Sequence, residues 1–343
     1  LYAADDRENY VFWRSFERAT LTAADQDPSE RLFSGKLSAG LEWSEILSGA
    51  TSIVVRPSLY RTNYFNTIGG VEQDSNTSVA WAYGLEAQAT SRLSDDVVIT
   101  AGLNGRVNDV VSDVYGNQIQ TLFAAYGQAE WTVQPGMIVT AGARIDREET
   151  ITVDPNLVVS PKVGLSWALA DATSLRASLG RGFRAPTIAE RYATIQYSAI
   201  RVVPAERLLP EFSWSAELGI NQRFAGAPFP MELDVAVFNN ELYDMIEPAF
   251  LPSGVVQFQN ITRARVLGAE FTVRAMVASW AGVETGLTLM NPQDVTSGQT
   301  LKYRNNVIWY SRGSVRPFDG IEFQAEHRFL NRTEQIDALA VVP

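Results

Sequence analysis

Apolar and polar residues alternate strictly along many segments of this chain. The clearest example runs from Phe212 to Asn221, where every second residue is apolar and those between are Ser, Glu, Gly or Asn. Successive side chains of a β-strand point to opposite sides, so such a segment forms a strand with one apolar and one polar face. The same alternation occurs in Val79–Ala89, Val97–Leu103, Met137–Asp146, Val163–Leu169, Leu175–Leu179, Phe271–Val277, Val283–Leu289 and Ile321–Phe329. The pattern predicts an all-β chain.

Two architectures accommodate strands of this kind. In a soluble β-sandwich the apolar faces point inward, whereas in a transmembrane barrel they face lipid and the polar faces line the interior. The predicted strands commonly reach about ten residues, compared with a mode near five or six in globular proteins. Four tryptophans lie near short turns, as an interfacial girdle would: Trp43, Trp131, Trp167 and Trp280. The sequence therefore favours a transmembrane antiparallel β-barrel over a soluble all-β domain.

Short and long junctions alternate between these strands, which is typical of barrels with short periplasmic turns and longer extracellular loops. The short junctions are Glu45–Gly49, Ser91–Asp95, Gln134–Gly136, Ala170–Thr173, Ala225–Pro230, Trp280–Gly282 and Arg316–Gly320. The long ones are Leu21–Glu30, Tyr64–Thr77, Asn108–Asn117, Arg147–Leu157, Phe183–Glu211, Glu247–Gly254 and Asn291–Thr300. A turn near Asn260 would break the alternation, so Val255–Ser279 is predicted to be one strand bulged there. The count is about fifteen strands.

An odd number of strands predicts an incomplete barrel. Single-chain bacterial barrels have even strand numbers and closed sheets, because open edges are not tolerated in lipid. We therefore expect residues 1–343 to be the barrel portion of a larger protein, with strands missing after Pro343 and before Leu1. No stretch approaches about 18 consecutive apolar residues, so no transmembrane helix is expected.

Composition removes several classes of function. The net charge of -11 disfavours nucleic-acid binding, which requires the opposite electrostatic field. The chain has no Cys, which excludes disulfides and thiolate metal sites, and its single histidine, His327, excludes a two-histidine metal site. The acidic pairs, including Glu148 with Glu149, have no calcium-loop spacing and are expected to be solvated or to bridge lipopolysaccharide. No cofactor or bound metal is expected.

The stretch from Leu179 to Tyr192, LGRGFRAPTIAERY, resembles the GRGFRAPT-x-x-E-x-Y signature of TonB-dependent outer-membrane receptors. Later segments resemble that family's strands in the same order. They are Leu209–Gly219 (L-x-PE), Phe238–Ile246 (F-x-N), Asn260–Glu270 (N-x-x-x-A-x-x-x-G-x-E) and Leu301–Arg304, where Asn305 replaces the proline of L-x-YRP. The resemblance covers about Leu175 to Asp337, and the first half matches by pattern alone.

The resemblance implies a larger barrel, in the outer membrane of a Gram-negative bacterium, around a globular plug that couples to the TonB complex. Neither the plug nor the TonB-binding segment can be found in this sequence. The implied partners are TonB through the absent plug, a metal chelate or other nutrient, and outer-membrane lipid including lipopolysaccharide.

Candidate site residues come from the signature and from the long loops. The signature residues are Arg181, Gly182, Phe183, Arg184, Ala185, Pro186, Glu190 and Tyr192. They either contact ligand or plug at the barrel mouth, or have a structural role in which Gly182 and Pro186 shape the strand exit and Arg184 pairs with a lumen carboxylate. The structural role is the preferred interpretation. The ligand candidates are Arg184, Arg191, Tyr192, Tyr197, Arg201, Tyr64, Phe65 and Tyr115, because arginines and aromatic rings suit an anionic aromatic chelate. Ordinary loop packing is the alternative.

The expected function is therefore uptake of a ferric siderophore or another metal chelate, with no enzymatic activity. Cobalamin, a glycan or a peptide are alternative cargoes, and the absence of histidine between Thr187 and Leu208 disfavours haem. A general diffusion porin is the main rival, although it would need an even, closed barrel and an inward-folded constriction loop. A barrel enzyme would need a catalytic constellation around His327, whose register places it on the lipid-facing side.

Overall fold

The computed structural model describes residues 2–17, 22–150, 153–197, 200–225, 229–251, 254–301 and 304–333, with the backbone alone at 2–17, 22–30, 74–76, 153–156, 197, 200, 261 and 262. Its strands are β1 Tyr2–Glu17, β2 Thr22–Gly40, β3 Trp43–Ser48, β4 Thr51–Ile68, β5 Val71–Arg92, β6 Val97–Ser112, β7 Gly116–Gln134, β8 Met137–Thr150, β9 Val153–Ala170, β10 Thr173–Arg184, β11 Ile195–Tyr197, β12 Ile200–Val203, β13 Glu211–Phe224, β14 Met231–Leu251, β15 Val255–Ala278, β16 Ala281–Asp294, β17 Val307–Phe318 and β18 Ile321–Leu330. One helix, α1 Ile188–Tyr192, follows β10.

All eighteen described strands belong to one sheet. β3 continues β2 after a break at Leu41 and Glu42, since both pair with β4. β11 and β12 form a small hairpin inside the loop that joins β10 to β13. The other fifteen described strands pair antiparallel in sequence order. This number agrees with the prediction of about fifteen barrel strands. Among the described residues, no pairing joins β1 to β18.

The predicted short junctions are confirmed. Two of them are two-residue turns with a glycine in the left-handed region of backbone conformation, Gly136 (φ 79) and Gly320 (φ 85). Several predicted loops, however, are shorter than expected. β4 and β5 keep pairing almost to the Gly69–Gly70 turn, so Tyr64 and Phe65 are strand residues and the predicted loop placement is wrong for them. The strands extend because cross-strand hydrogen bonding continues beyond the apolar belt.

The prediction of one strand from Val255 onward is confirmed, but the bulge expected near Asn260 is wrong. β14 and β15 keep one register on both sides of it, with Tyr243 opposite Arg263 and Met245 opposite Ile261. The irregularity lies on the facing strand, where Asp244 has a φ of 54°. The Asn260 side chain donates to the Asp244 carbonyl at 2.6 Å, and this bond takes the place of regular pairing.

The sheet has an apolar outer face and a polar inner face. On the outer face Leu103, Leu218, Val237 and Leu267 are each at least half exposed, as lipid-facing residues are. Trp43, Trp131 and Trp280, beside the short turns, are each more than half exposed, in agreement with a girdle at the periplasmic interface. No described helix is long and apolar enough to span a membrane.

Candidate functional site

The signature segment leaves β10 through a capped helix. The Thr187 hydroxyl accepts from the Glu190 backbone N–H at 3.2 Å, and the Glu190 carboxylate accepts from the Thr187 N–H at 2.8 Å. This reciprocal capping box satisfies backbone donors that the first turn of a helix otherwise leaves free. Pro186, which is fully buried, has no N–H to satisfy where the chain turns into the helix.

Arg184 ties the two ends of the loop together. Its guanidinium donates twice to Glu211, at 2.6 and 2.8 Å, and once to Glu190 at 2.9 Å. Glu211 opens β13 and also accepts from the Ile246 N–H of β14. The hydrogen bonds that Arg184 donates to Glu211 and Glu190 raise its pKa above the usual value. The carboxylate partner predicted for Arg184 is present, and it is supplied by the end of the same loop.

Arg191 is completely buried against the inner face of β7 and β8. Its terminal nitrogens donate to Glu148 of β8 at 2.9 and 3.4 Å, and the two side chains are 1% and 2% exposed. Gln120 of β7 donates both to Glu148, at 2.9 Å, and to the Pro186 carbonyl, at 3.1 Å. The Nε of Arg191 is also buried and has no hydrogen-bond partner among the described residues. Removing one partner of a buried ion pair is costly, so the pair fixes the position of the loop.

An apolar contact accompanies the ion pair. Ile188 and Tyr192 pack on Val110 of β6, with Ala80 and Tyr115 at the edge of the cluster. The Tyr192 hydroxyl also lies 3.3 Å from the Thr150 hydroxyl of β8. Helix α1 therefore folds onto the inner wall of the sheet.

The second half of the loop is fastened to the other side. β12 pairs parallel with the start of β15 at Arg201 and Val255, and Gln257 donates to the Pro204 carbonyl at 2.8 Å. The Asn260 side chain accepts from the Leu209 N–H at 2.9 Å and donates to its carbonyl at 3.0 Å. The loop between β10 and β13 thus contacts β6–β8 on one side and β15 on the other.

The predicted site residues occupy three different environments. Arg191 and Tyr192 are buried inside the loop contact, and Tyr115 is half-buried beside them. Tyr64 and Arg201 are exposed at the mouth, whereas Phe65 stacks on Phe33 at 5.0 Å. Arg181 and Phe183 share a face with Trp214 and Phe212, which is the outer face. The Tyr197 side chain lies outside the described residues.

Sequence reasoning missed the residues that hold the loop: Glu148, Gln120, Glu211 and Asn260. Glu148 was assigned to a solvated acidic pair, and this is wrong, because its side chain is buried with Arg191. The alternation of β8 carried a signal, since it places Glu148 on the inner face while Arg147 and Glu149 point outward. Among the described residues, no group of three or more His, Asp or Glu side chains is arranged to hold a metal ion.

The inner wall below the loop carries an ordered charge network. Arg176 forms a bidentate hydrogen-bonded ion pair with Asp234, at 2.7 and 2.8 Å, and also donates to Glu217. A separate cleft of about 660 Å³ on β4 to β8 is lined by arginines and acidic residues including Arg56, Arg106, Arg144, Glu86 and Asp146. Charged and polar groups therefore face the interior, as in a wet or plugged barrel.

Acidification is expected to loosen helix α1 through Glu190. Burial alone would raise the pKa of Glu190, but Arg184 and both Thr187 donors stabilise the carboxylate and lower its pKa overall. This stabilisation is present above the ordinary glutamate pKa of about 4.3 and is lost as the pH falls through the lowered folded-state pKa. Hydrogen exchange at the Arg191 and Ala193 amides, corrected for intrinsic rates, should be faster in a Glu190→Gln variant than in wild type at pH 7. The difference should shrink as the pH falls through the lowered pKa of Glu190. A difference that stays constant over the whole acidic range would contradict the assignment.

Comparisons with known proteins agree with this architecture. The sequence model of the family described as TonB dependent receptor-like, beta-barrel, matches residues 3–326. Vitamin B12 transporter BtuB of Vibrio vulnificus is 24% identical, in a match that covers 74% of this chain and 47% of the relative.

Solved structures with the same fold include a receptor and a transporter. The siderophore receptor PirA from Pseudomonas aeruginosa superposes with a TM-score of 0.73 and 17% identity, covering 88% of this chain and 56% of that one. The FrpB iron transporter from Neisseria meningitidis gives a TM-score of 0.71 and 14% identity, with 95% and 55% covered. The chain spans about half the length of the relatives that it matches.

Proposed function

The chain belongs to the TonB-dependent receptor β-barrel family, and we propose that the protein takes up a scarce nutrient across the outer membrane, with a ferric siderophore or another metal chelate as its cargo. The observation that carries the proposal is the family match over residues 3–326. Relatives of this family are outer-membrane proteins of Gram-negative bacteria, and the apolar outer face fits that location.

The proposed capture surface lies at the mouth, around the fastened loop. Arg201 and Tyr64 are exposed there and offer charge-assisted hydrogen bonds and a stacking face. Arg184 keeps part of its guanidinium exposed, although its donors are engaged by Glu211 and Glu190. Arg191, Tyr192 and Tyr115 support the loop from within and would act on the ligand only through its position.

The inner wall is proposed to receive a plug domain from the rest of the protein. The charge pairs around Arg176 and the cleft near Arg144 present complementary groups to such a domain. Coupling to the TonB complex would pass through that plug, and residues 1–343 would supply the barrel wall alone. We propose no covalent chemistry, since His327 lies on the outer face, with its ring 5.1 Å from that of Trp309.

A general diffusion porin is the rival that one observation favours, because the loop after β10 folds inward as a constriction loop does. The test is uptake of labelled ferric siderophores, with labelled cobalamin in parallel, by cells whose only receptor is the full-length protein. TonB-dependent accumulation of a ferric chelate supports the proposal. Entry that persists after deletion of TonB would establish a porin, and TonB-dependent uptake of cobalamin alone would overturn the cargo.

Arg201→Ala and Tyr64→Ala are each expected to weaken binding of that ferric chelate about tenfold, because each removes one directed contact. Binding is measured by titration of the purified full-length protein. The matched control is Arg223→Ala, an exposed arginine at the periplasmic end that donates to the Asp171 carbonyl. If the control weakens binding as much as Arg201→Ala, the proposed capture surface is wrong.

A further inference from the structure

Arg181 of β10 and both Arg263 and Arg265 of β15 point outward from the sheet rather than into the barrel. Cross-strand pairing places Arg181, Trp214, Glu241 and Arg265 in one row over β10, β13, β14 and β15. The next row towards the extracellular side contains Phe183, Phe212, Tyr243 and Arg263. We call these two rows the arginine–aromatic band.

The band lies directly above the lipid-facing belt. Two or four residues towards the periplasm, the same strands carry Leu179, Leu218, Val237 and Leu267 on the outer face, and these side chains are about half exposed. Above the belt the outer-face residues become charged. An outer-leaflet headgroup would therefore sit at the height of the band, because charged groups settle at the membrane interface.

The arginines are held in position by their neighbours. The Arg181 guanidinium lies 4.5 Å from the centre of the Phe212 ring and donates to the Val159 carbonyl at 2.9 Å. Arg263 lies over the Tyr243 ring at 5.4 Å and donates to Glu241, and Arg265 donates to the same carboxylate. One glutamate thus orients two arginines. With Arg181, the band carries three positive charges and one negative charge.

The band retains free donors for an anion. Arg265 contacts Glu241 through Nε, and no hydrogen bond within the described residues occupies its terminal nitrogens. The side chains of Arg263 and Arg265 are 40% and 41% exposed, whereas Glu241 is only 12% exposed. Arg181 and Arg265 are three strand spacings apart, about 14 Å. The band therefore presents positive charge to its surroundings at two separated points, Arg181 and Arg265.

We propose that the arginine–aromatic band binds the phosphorylated headgroup of an outer-leaflet lipid, the phosphates of lipid A. Guanidinium forks match phosphate oxygens, and two separated cationic points suit a headgroup that carries two phosphates. The acyl chains of the lipid would lie on the apolar belt below. This assigns the signature residue Arg181 to the lipid-facing surface, independently of what the receptor imports.

The test measures binding of lipid A to the full-length protein in mild detergent by native mass spectrometry. A variant carrying Arg181→Gln and Arg265→Gln is expected to bind lipid A roughly thirtyfold more weakly, since each arginine near an anionic lipid surface contributes about a fivefold factor. Dephosphorylated lipid A should bind weakly to both proteins. The matched control is Arg106→Gln, an exposed arginine on the inner face that should leave lipid binding unchanged.

Several outcomes would overturn the proposal. Unchanged lipid A binding by the double variant would refute it, and so would equal binding of dephosphorylated lipid A. Competition by inorganic phosphate at concentrations similar to those of lipid A would indicate a free-anion site instead. If the double variant loses a co-purifying protein but keeps lipid A, the band is a protein interface. Because lipid binding is read out separately from uptake, failure here leaves the transport proposal standing.

Discussion

Replacing Arg191 with alanine is expected to release the loop between β10 and β13 from the barrel wall. The substitution leaves Glu148 buried and without its cation, and breaking a buried ion pair on one side costs about 3–5 kcal/mol. Gln120 cannot neutralise the carboxylate, although it still donates to it. Amide exchange at Thr194 and Ala205, which bond Val114 and Arg191 carbonyls, should accelerate by roughly two to three orders of magnitude.

The comparison that isolates the ion pair uses two further proteins. Arg207→Ala removes an exposed arginine from the same loop and should leave these exchange rates within about twofold, as exposed substitutions usually do. The double variant Arg191→Leu with Glu148→Leu should keep the loop closed, because apolar replacement of a buried pair is often neutral. Unchanged protection in Arg191→Ala would show that the contacts of Ile188 and Tyr192 suffice. Reduced ligand affinity in Arg191→Ala but not in the double variant would identify loop position as the requirement.

The architecture followed from local information because each barrel strand obeys one simple rule. Alternation placed β13 and the neighbouring strands, and the sequence of short turns ordered them, since neighbours in the chain are neighbours in the sheet. What failed was the extent of strands beyond the belt. Tyr64 and Phe65 lie where no lipid face imposes a pattern, so only the pairing of β4 with β5 reveals that they are strand residues.

The candidate site was harder to predict from the sequence than the fold, because its contacts join distant parts of the chain. Arg191 and Glu148 are 43 residues apart, and Leu209 and Asn260 are 51 apart, so no local pattern connects them. The signature motif located the loop but did not reveal its direction. Its preferred structural interpretation agrees with the contacts of Arg184 and Glu190, whereas Arg181 points to a face that the motif alone did not suggest.

Replacing Gly268 with valine is expected to prevent correct assembly of the barrel. Gly268 faces inward on β15, opposite Phe238 of β14, and the Phe238 ring occupies the space beside the glycine. A Cβ there would come within 2.4 Å of the ring and 2.8 Å of the Leu289 carbonyl oxygen on β16. The ring can rotate away, but the backbone of a hydrogen-bonded strand cannot, so the strands must separate locally. Overpacking typically costs about 1–3 kcal/mol, and a clash with backbone that cannot move belongs at the upper end of that range.

Valine substitutions at two other glycines, Gly286 and Gly313, distinguish a steric clash at Gly268 from the general effect of replacing a glycine in a strand. At Gly286 the three atoms nearest to a Cβ would all belong to the Tyr310 side chain, and at Gly313 a Cβ would meet nothing within 4 Å. Gly313→Val should therefore fold normally, Gly286→Val should be intermediate, and Gly268→Val should lose the heat-modifiable band that folded barrels show on electrophoresis. Removing the ring as well, with Phe238→Ala, should not rescue Gly268→Val, because the Leu289 oxygen remains in place. Full rescue by Phe238→Ala would instead show that the cross-strand ring, and not the backbone, sets the limit on side-chain size at this position.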